Sequence, residues 1–163
     1  MSDIRKQIER QLDGFADANH CGAGMIELSD GERKLRCRVL STDRLACEIE
    51  SIQVHSPELN VLNAESLDAL SVQLSDRISY LEESLTLVEK DAIAIEAQLR
   101  STRPMLAEGA KNYFELIVGR NGVLLQRYQK SVGNQRTTVP AVLSRATVCR
   151  LCSDLLDLSH CYV

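Results

Sequence analysis

Two pairs of residues near the C-terminal end of the sequence could ligate a metal. Cys149 and Cys152 form a CxxC pair, and His160 and Cys161 follow. Thiolate and imidazole ligands suit tetrahedral zinc. The sequence contains no second CxxC and no His-x3-5-His to strengthen this hypothesis. The alternative, which the spacing favours, is that Cys149 and Cys152 share one helix face and pack as small apolar side chains.

A second set of residues could bind an anion. Five arginines lie between residues 100 and 136 of a chain that is acidic overall. Two tyrosines fall on neighbouring predicted strands, where a sheet face can stack bases or bind an anionic ligand. The alternative is a solvated charged face with tyrosines packed in the core, and the acidity of the chain favours it. The candidate ligand-binding residues are Arg100, Arg103, Tyr113, Arg127 and Tyr128.

No recognisable catalytic arrangement is present in the sequence. The three histidines, His20, His55 and His160, lie in unrelated segments. The sequence has no nucleophile elbow, HExxH motif or Walker loop. We therefore predict no catalytic residue and no cofactor. A small enzyme whose site is assembled from distant residues stays open as an alternative.

Composition limits the classes of protein to which the chain can belong. The chain has 163 residues, a formal charge of −4 and 44% apolar residues, but only 4% aromatic residues. This balance fits one aliphatic-cored domain and argues against general binding of nucleic acid. The first eight residues lack the apolar stretch of a signal peptide, and no segment is apolar enough to span a membrane. We expect a cytoplasmic protein with six reduced cysteines.

The periodicity of apolar residues predicts the elements that must position these candidates. Spacings of three and four predict helices over 4–17, 64–80 and 145–159, and shorter alternating runs predict strands. The predicted strands cover 25–28, 34–40, 45–50, 85–88, 93–100, 113–118, 123–129 and an edge strand over 137–142. Residues 1–163 are thus predicted to form one α+β domain. Its antiparallel sheet contains two meanders, and three helices pack on one face in the order α-βββ-α-βββ(β)-α.

Turn residues give further expectations about the connections. Asp30-Gly31 predicts a hairpin, and Asn121-Gly122 predicts a second hairpin with a type I′ turn. The segment 101–111 contains Pro104 and Gly109 and reads as a long connection without regular structure.

Several short segments between residues 64 and 156 carry a family resemblance. They are 74–81, 98–101, 113–116 and 126–128, ahead of the helix that Ser144 is predicted to cap. The pattern resembles a family of small uncharacterised bacterial proteins known mainly from planctomycetes. Relatives tend to carry consecutive prolines after the Arg-Ser pair, where this sequence reads Ser-Thr-Arg-Pro. The resemblance implies an α+β domain and transfers no activity.

Size and acidity are also similar to those of the dimeric chaperones of type III secretion, at the level of the fold only. With no catalytic motif and several strand edges open to pairing, we predict a non-enzymatic protein-interaction or chaperone-like domain. We expect a homodimer or another protein partner. The alternatives are an anion- or nucleotide-binding module that uses the basic Arg/Tyr face of residues 100–136, and a small enzyme.

Overall fold

The computed structural model describes residues 2–17, 22–81, 83–101, 105–107 and 109–158. Over these residues the chain forms three α-helices, a short 3-10 helix at Pro57–Val61 and ten β-strands. The helices are α1 (Ser2–Asp17), α2 (Ala64–Arg77) and α3 (Arg145–Leu158). The strands are β1 (Gly24–Asp30), β2 (Arg33–Thr42), β3 (Ala46–His55), β4 (Leu85–Asp91), β5 (Glu96–Ser101), β6 (Met105–Ala107), β7 (Ala110–Gly119), β8 (Gly122–Ser131), β9 (Thr137–Val139) and β10 (Ala141–Ser144).

The strands form one sheet in the order β1-β2-β3-β8-β7-β5-β4. Strand β6 pairs with β7, β9 with β8 and β10 with β3, and each described pairing is antiparallel. The predicted α+β class with an antiparallel sheet is therefore confirmed. In the described part of the chain, no helix is long and apolar enough to cross a membrane.

One face of the sheet carries the hydrophobic core. Side chains from all three helices join those of this sheet face in a single buried cluster, which includes Leu12, Leu74 and Leu155. Alternate residues of each strand point to the opposite side. We call that opposite side the outer face, and it carries the polar residues that matter for the candidate site.

Two helix starts follow the local rules for capping. The side chain of Asn63 accepts a hydrogen bond from the backbone N–H of Ser66, whose hydroxyl accepts one from the N–H of Asn63. At the start of α3, the hydroxyl of Ser144 accepts a hydrogen bond from the N–H of Thr147 at 3.1 Å. Both caps satisfy donors that the first helical turn leaves open.

The sheet forks between β3 and β8. These ten-residue strands pair through three residue pairs only, from Ile52–Leu125 to Val54–Val123. Beyond the fork β9 pairs with β8 and β10 pairs with β3, and Pro140 lies between β9 and β10. The prediction of one edge strand over 137–142 is therefore wrong, because Pro140 lacks the N–H that a continuous ladder needs.

Two connections also differ from the sequence-based expectation. Segment 101–111 was expected to lack regular structure, but β6 pairs with β7 from Met105–Asn112 to Ala107–Ala110. The strand expected over 93–100 begins only at Glu96. The carboxylate of Asp91 accepts hydrogen bonds from the backbone N–H groups of Ile93 and Ala94 and closes a turn before it. Such a side-chain turn competes with strand formation.

In the second hairpin, Gly122 lies at the start of β8 and not in the predicted type I′ turn. Gly119 pairs with Gly122, so Arg120 and Asn121 are the two loop residues. Among the residues that the structure describes, the one non-glycine residue with a positive φ is Ile95, so Asn121 does not form the predicted type I′ turn. Gly122 has a φ of +128°, and a Cβ there would lie 2.5 Å from the carbonyl oxygen of Val54. The glycine is needed for the close approach to β3.

Candidate functional site

Two tyrosines define the centre of a polar cluster on the outer face. Tyr113 of β7 and Tyr128 of β8 are direct cross-strand partners, and their ring centroids lie 5.9 Å apart in a stacked arrangement. The two strands pair along all ten residues from Ala110–Ser131 to Gly119–Gly122. This uninterrupted ladder fixes which outer-face residues stand opposite each other.

Glu115 is the next outer-face residue of β7 after Tyr113, and its side chain is fully buried. Its Oε2 accepts hydrogen bonds from Nη2 of Arg100 at 3.2 Å and from Nη1 of Arg136 at 2.5 Å. Arg100 is its cross-strand partner on β5, whereas Arg136 comes from the loop between β8 and β9. One carboxylate thus holds two guanidinium groups from opposite sides.

Each of these arginines also covers a tyrosine ring. The guanidinium carbon of Arg100 lies 4.8 Å from the ring centroid of Tyr113, and that of Arg136 lies 4.1 Å from that of Tyr128. Both distances are in the range of cation–π interactions. The rings are covered by the guanidinium groups and by each other, so they offer no open platform on which a base could stack.

The charges in the cluster influence one another's ionisation. The hydrogen bond to Glu115 raises the pKa of Arg136, so this side chain keeps its charge under all ordinary conditions. Burial raises the pKa of Tyr128; the charge of Arg136 lowers it and that of Glu115 raises it further. The hydroxyl of Tyr128 donates to the side-chain oxygen of Gln126 at 2.9 Å, which fits a protonated phenol.

Two lysines extend the cluster toward the open end of the hairpin. Lys111 and Lys130 are direct cross-strand partners, and both side chains are exposed. Like charges at this position repel each other and weaken the strand pairing. Neither lysine forms an ion pair with any residue in the described ranges. The pair is therefore uncompensated in this part of the chain.

The arginines and lysines surround a depression of about 540 Å³ on the outer face. Two polar atoms of the cluster, Nε of Arg100 and Oε1 of Glu115, are buried without a hydrogen-bond partner. We call this region the basic depression, and it is lined by Glu89, Gln98, Arg100, Lys111, Tyr113, Lys130 and Arg136. Its chemistry suits the binding of an anion, because several fixed and mobile N–H donors converge on one surface.

The structure brings together three of the five predicted ligand-binding residues, namely Arg100, Tyr113 and Tyr128. Arg127 lies on the core face instead, because it is the cross-strand partner of Phe114. Its guanidinium carbon lies 4.5 Å from the ring centroid of Phe114, and it forms an ion pair with Glu83. The remaining predicted residue, Arg103, lies outside the described residues.

Sequence reasoning missed four residues of the cluster. Glu115, Lys111 and Lys130 could have been found by counting every second residue from the two tyrosines. Arg136 was recognised as part of the basic segment but was not proposed as a ligand-binding residue. Its loop position gives no signal in the sequence that it reaches across Tyr128 to Glu115.

The four described cysteines lie elsewhere, in the core between α3 and strands β2 and β3. Burial raises the pKa of the Cys149 thiol to about 11, and a hydrogen bond with Cys37 together with burial raises the pKa of Cys152. Burial also raises the pKa of Cys47. No group of three or more His, Cys, Asp and Glu side chains that could hold a metal occurs within the described residues. The other two predicted ligands, His160 and Cys161, lie outside them.

A second depression, of about 400 Å³, lies at the fork of the sheet. Its lining includes Pro140, Phe114 and Arg127. The charge of Arg127 is matched by Glu83, 3.6 Å away, so the described residues that line this depression include no unmatched cation of the kind found on the outer face.

Comparisons with known proteins provide no identification. No family model matches this sequence, and no curated protein or solved structure matches it significantly.

Proposed function

We propose that this protein is a non-enzymatic binding module that holds an anionic group of its ligand in the basic depression. The observation that carries the proposal is the pair Lys111–Lys130, which has no ion-pair partner among the described residues and adjoins two arginines held by one buried carboxylate. An anion placed between these cations would relieve the repulsion of the lysines.

Glu115 has the role of a positioning residue in this proposal. It engages one nitrogen of Arg100 and one of Arg136, and each guanidinium has five N–H donors in a fixed plane. The remaining donors are held in a defined direction before the ligand arrives. Preorganised donors bind an anion with a smaller loss of side-chain entropy than free arginines do.

Nucleic acid is a poorer fit to this surface than a small anionic group. Single-strand binding modules stack bases on exposed aromatic rings, whereas Tyr113 is almost fully buried and its ring is covered by Arg100. The net negative charge of the chain also opposes long phosphate backbones. The proposal is therefore a site for one anionic group, not a track for a polymer.

A titration of the isotopically labelled protein with citrate, followed by NMR, tests this proposal. We expect saturable shifts of the amide resonances of Lys111, Tyr113 and Lys130. The double variant Lys111→Gln/Lys130→Gln should lose this response. A matched control, Lys34→Gln/Arg36→Gln, removes two positive charges from another part of the outer face and should keep it. Absence of saturable shifts at millimolar citrate in the unmodified protein would refute the proposal.

A second candidate function is self-association through the edge strand β4. Its Leu87 and Val88 are 47% and 50% exposed, and Val72 of the adjacent helix α2 is 60% exposed. An antiparallel second copy centred on Leu87 would place Leu87 against Leu87 at a two-fold axis, beside the bulge that β4 has between Leu87 and Glu89. Open edges with such residues favour strand addition.

Native mass spectrometry distinguishes this candidate from a monomeric binding module. A dimer through β4 predicts that Leu87→Glu yields monomers, because two like charges would meet at the two-fold axis. The control Ile93→Glu changes a residue that is 96% exposed in the turn after β4 and should leave the subunit count unchanged. If the unmodified protein is monomeric at micromolar concentration, self-association through β4 is excluded.

A further inference from the structure

The charge balance of the basic depression restricts the kind of anion that it can hold. Among the residues that line or underlie it within the described ranges, four cations face two carboxylates, Glu89 and Glu115. Two positive charges are left over. A single carboxylate would neutralise one of them, whereas a dianion would neutralise both. We infer that the group bound there is a dianion of the phosphate-monoester class, an inference that rests on the proposed function.

The arrangement of donors supports the same choice. The arginines lie beside the tyrosines, and the lysines stand farther along the same two strands, so the donors surround the depression. A carboxylate has two oxygens in one plane and matches a single guanidinium fork. A phosphate monoester has three acceptor oxygens in different directions and can accept from arginine and lysine together.

The lysine end of the depression also leaves room for the rest of an esterified ligand. Lys111 and Lys130 are exposed, and both line the depression. At the other end, the fully buried Glu115 holds the guanidinium groups of Arg100 and Arg136. We therefore expect the phosphate oxygens to contact the arginines and the ester substituent to leave past the lysines. The substituent can belong to a small phosphorylated metabolite or to a phosphorylated serine side chain.

The ionisation of phosphate provides a sharp test. The probe is N-acetyl-phosphoserine methylamide, titrated into the labelled protein at constant ionic strength, with sulfate and acetate as comparison anions. A monoester has a second pKa near 6, so its dianion fraction rises about fourfold between about pH 5.5 and about pH 7.5. We expect its affinity to rise by about the same factor. Sulfate is a dianion at both pH values and reports any titration of the groups that face the site. Those groups are Glu89, Arg100, Lys111, Tyr113, Glu115, Lys130 and Arg136.

The outcomes distinguish the proposed anion site from the further inference that its ligand is a dianion. Sulfate and the phosphoserine probe should bind at least about tenfold more tightly than acetate, which corresponds to about 1.4 kcal/mol. If acetate binds as tightly as the dianions, the dianion inference is overturned and the proposed anion site survives. If none of the anions binds, both fail. Glycerol 3-phosphate serves as a second probe, and whichever monoester binds more tightly indicates the metabolite or the phosphoprotein as the source.

Lys111→Gln/Lys130→Gln provides the matched test on the protein. It should reduce the affinity for the phosphoserine probe by about tenfold, as expected for the loss of charge-assisted hydrogen bonds. The control Lys34→Gln/Arg36→Gln should leave that affinity unchanged. Equal losses in the two variants would show that the effect is one of net charge and would overturn the assignment to the basic depression.

Discussion

The outer face of the sheet carries basic residues in two regions that differ in how the charges are matched. On the β1–β2–β3 side, Arg36 pairs with Glu27 of β1, and Arg38 pairs with Glu50 of β3. On the β7–β8 side, Lys111 stands opposite another lysine. The two arginines of the first region follow the ordinary rule that opposite charges face each other across antiparallel strands. The second region breaks the rule, and that difference is what marks it as a candidate site.

The comparison also separates structural from functional charge within one strand. Along β8, Arg127 points to the core face and is matched by Glu83, whereas Tyr128 and Lys130 point to the outer face, where Lys130 lines the basic depression. Consecutive residues thus serve different purposes because a strand alternates its faces. A basic segment in a sequence is therefore informative only after its residues have been assigned to faces.

The largest expected effect comes from breaking the matched pair on the core face. Arg127→Ala would leave the carboxylate of Glu83 buried, with neither oxygen hydrogen-bonded. Removing one partner of a buried ion pair costs about 3 kcal/mol or more. We expect urea denaturation to show such a loss, with anion binding unchanged. The double variant Glu83→Leu/Arg127→Met should recover most of the stability. If Arg127→Ala lowers the free energy of unfolding by less than about 1 kcal/mol, the buried carboxylate of Glu83 does not depend on Arg127 for its stabilisation.

A smaller loss is expected from the carboxylate that underlies the basic depression. Glu115→Ala removes the acceptor shared by Arg100 and Arg136, but both arginines are partly exposed and can turn to water. We expect a decrease in the free energy of unfolding of about 1.5–3 kcal/mol, the range for hydrogen bonds to a charged group. The matched control is Glu50→Ala in the other region, which should cost less than about 1 kcal/mol because that ion pair is exposed.

The effect of Glu115→Ala on binding makes the comparison more specific. The variant should bind the anion more weakly although it removes a negative charge from the site, because its arginines lose their fixed positions. Tighter binding by Glu115→Ala would show that Glu115 opposes the ligand and does not position the arginines.

Much of the architecture follows from local patterns in the sequence. Spacings of three and four place the three helices, and α2 begins at Ala64, where it was predicted. Alternation places Tyr113 and Tyr128 together on one face. The same alternation assigns Arg127 to the opposite face, so its inclusion among the ligand-binding residues was an error of counting and not a limit of the sequence.

Other features depend on contacts between distant segments and have no local signal. Strand β6 forms because β7 offers it an edge, and the fork between β3 and β8 depends on how ten-residue strands diverge. The approach of Arg136 to Glu115 depends on the path of a loop. The turn at residues 92–95 was missed for a different reason, since the Asp91 side chain closes it and interrupts an alternating run.

The smallest expected effect tests the comparison between the two regions by the sign of a stability change. Lys111→Gln removes a repulsion across the strands, so we expect the free energy of unfolding to rise by about 0.2–1 kcal/mol. Arg36→Gln on the other side removes an attraction to Glu27 and should lower it slightly or leave it unchanged. Both changes should shrink in concentrated salt, because exposed charges are screened. Urea denaturation at low and high salt measures them. If the two variants shift stability in the same direction, the lysine pair is not a strained feature, and the charge argument for the basic depression loses its basis.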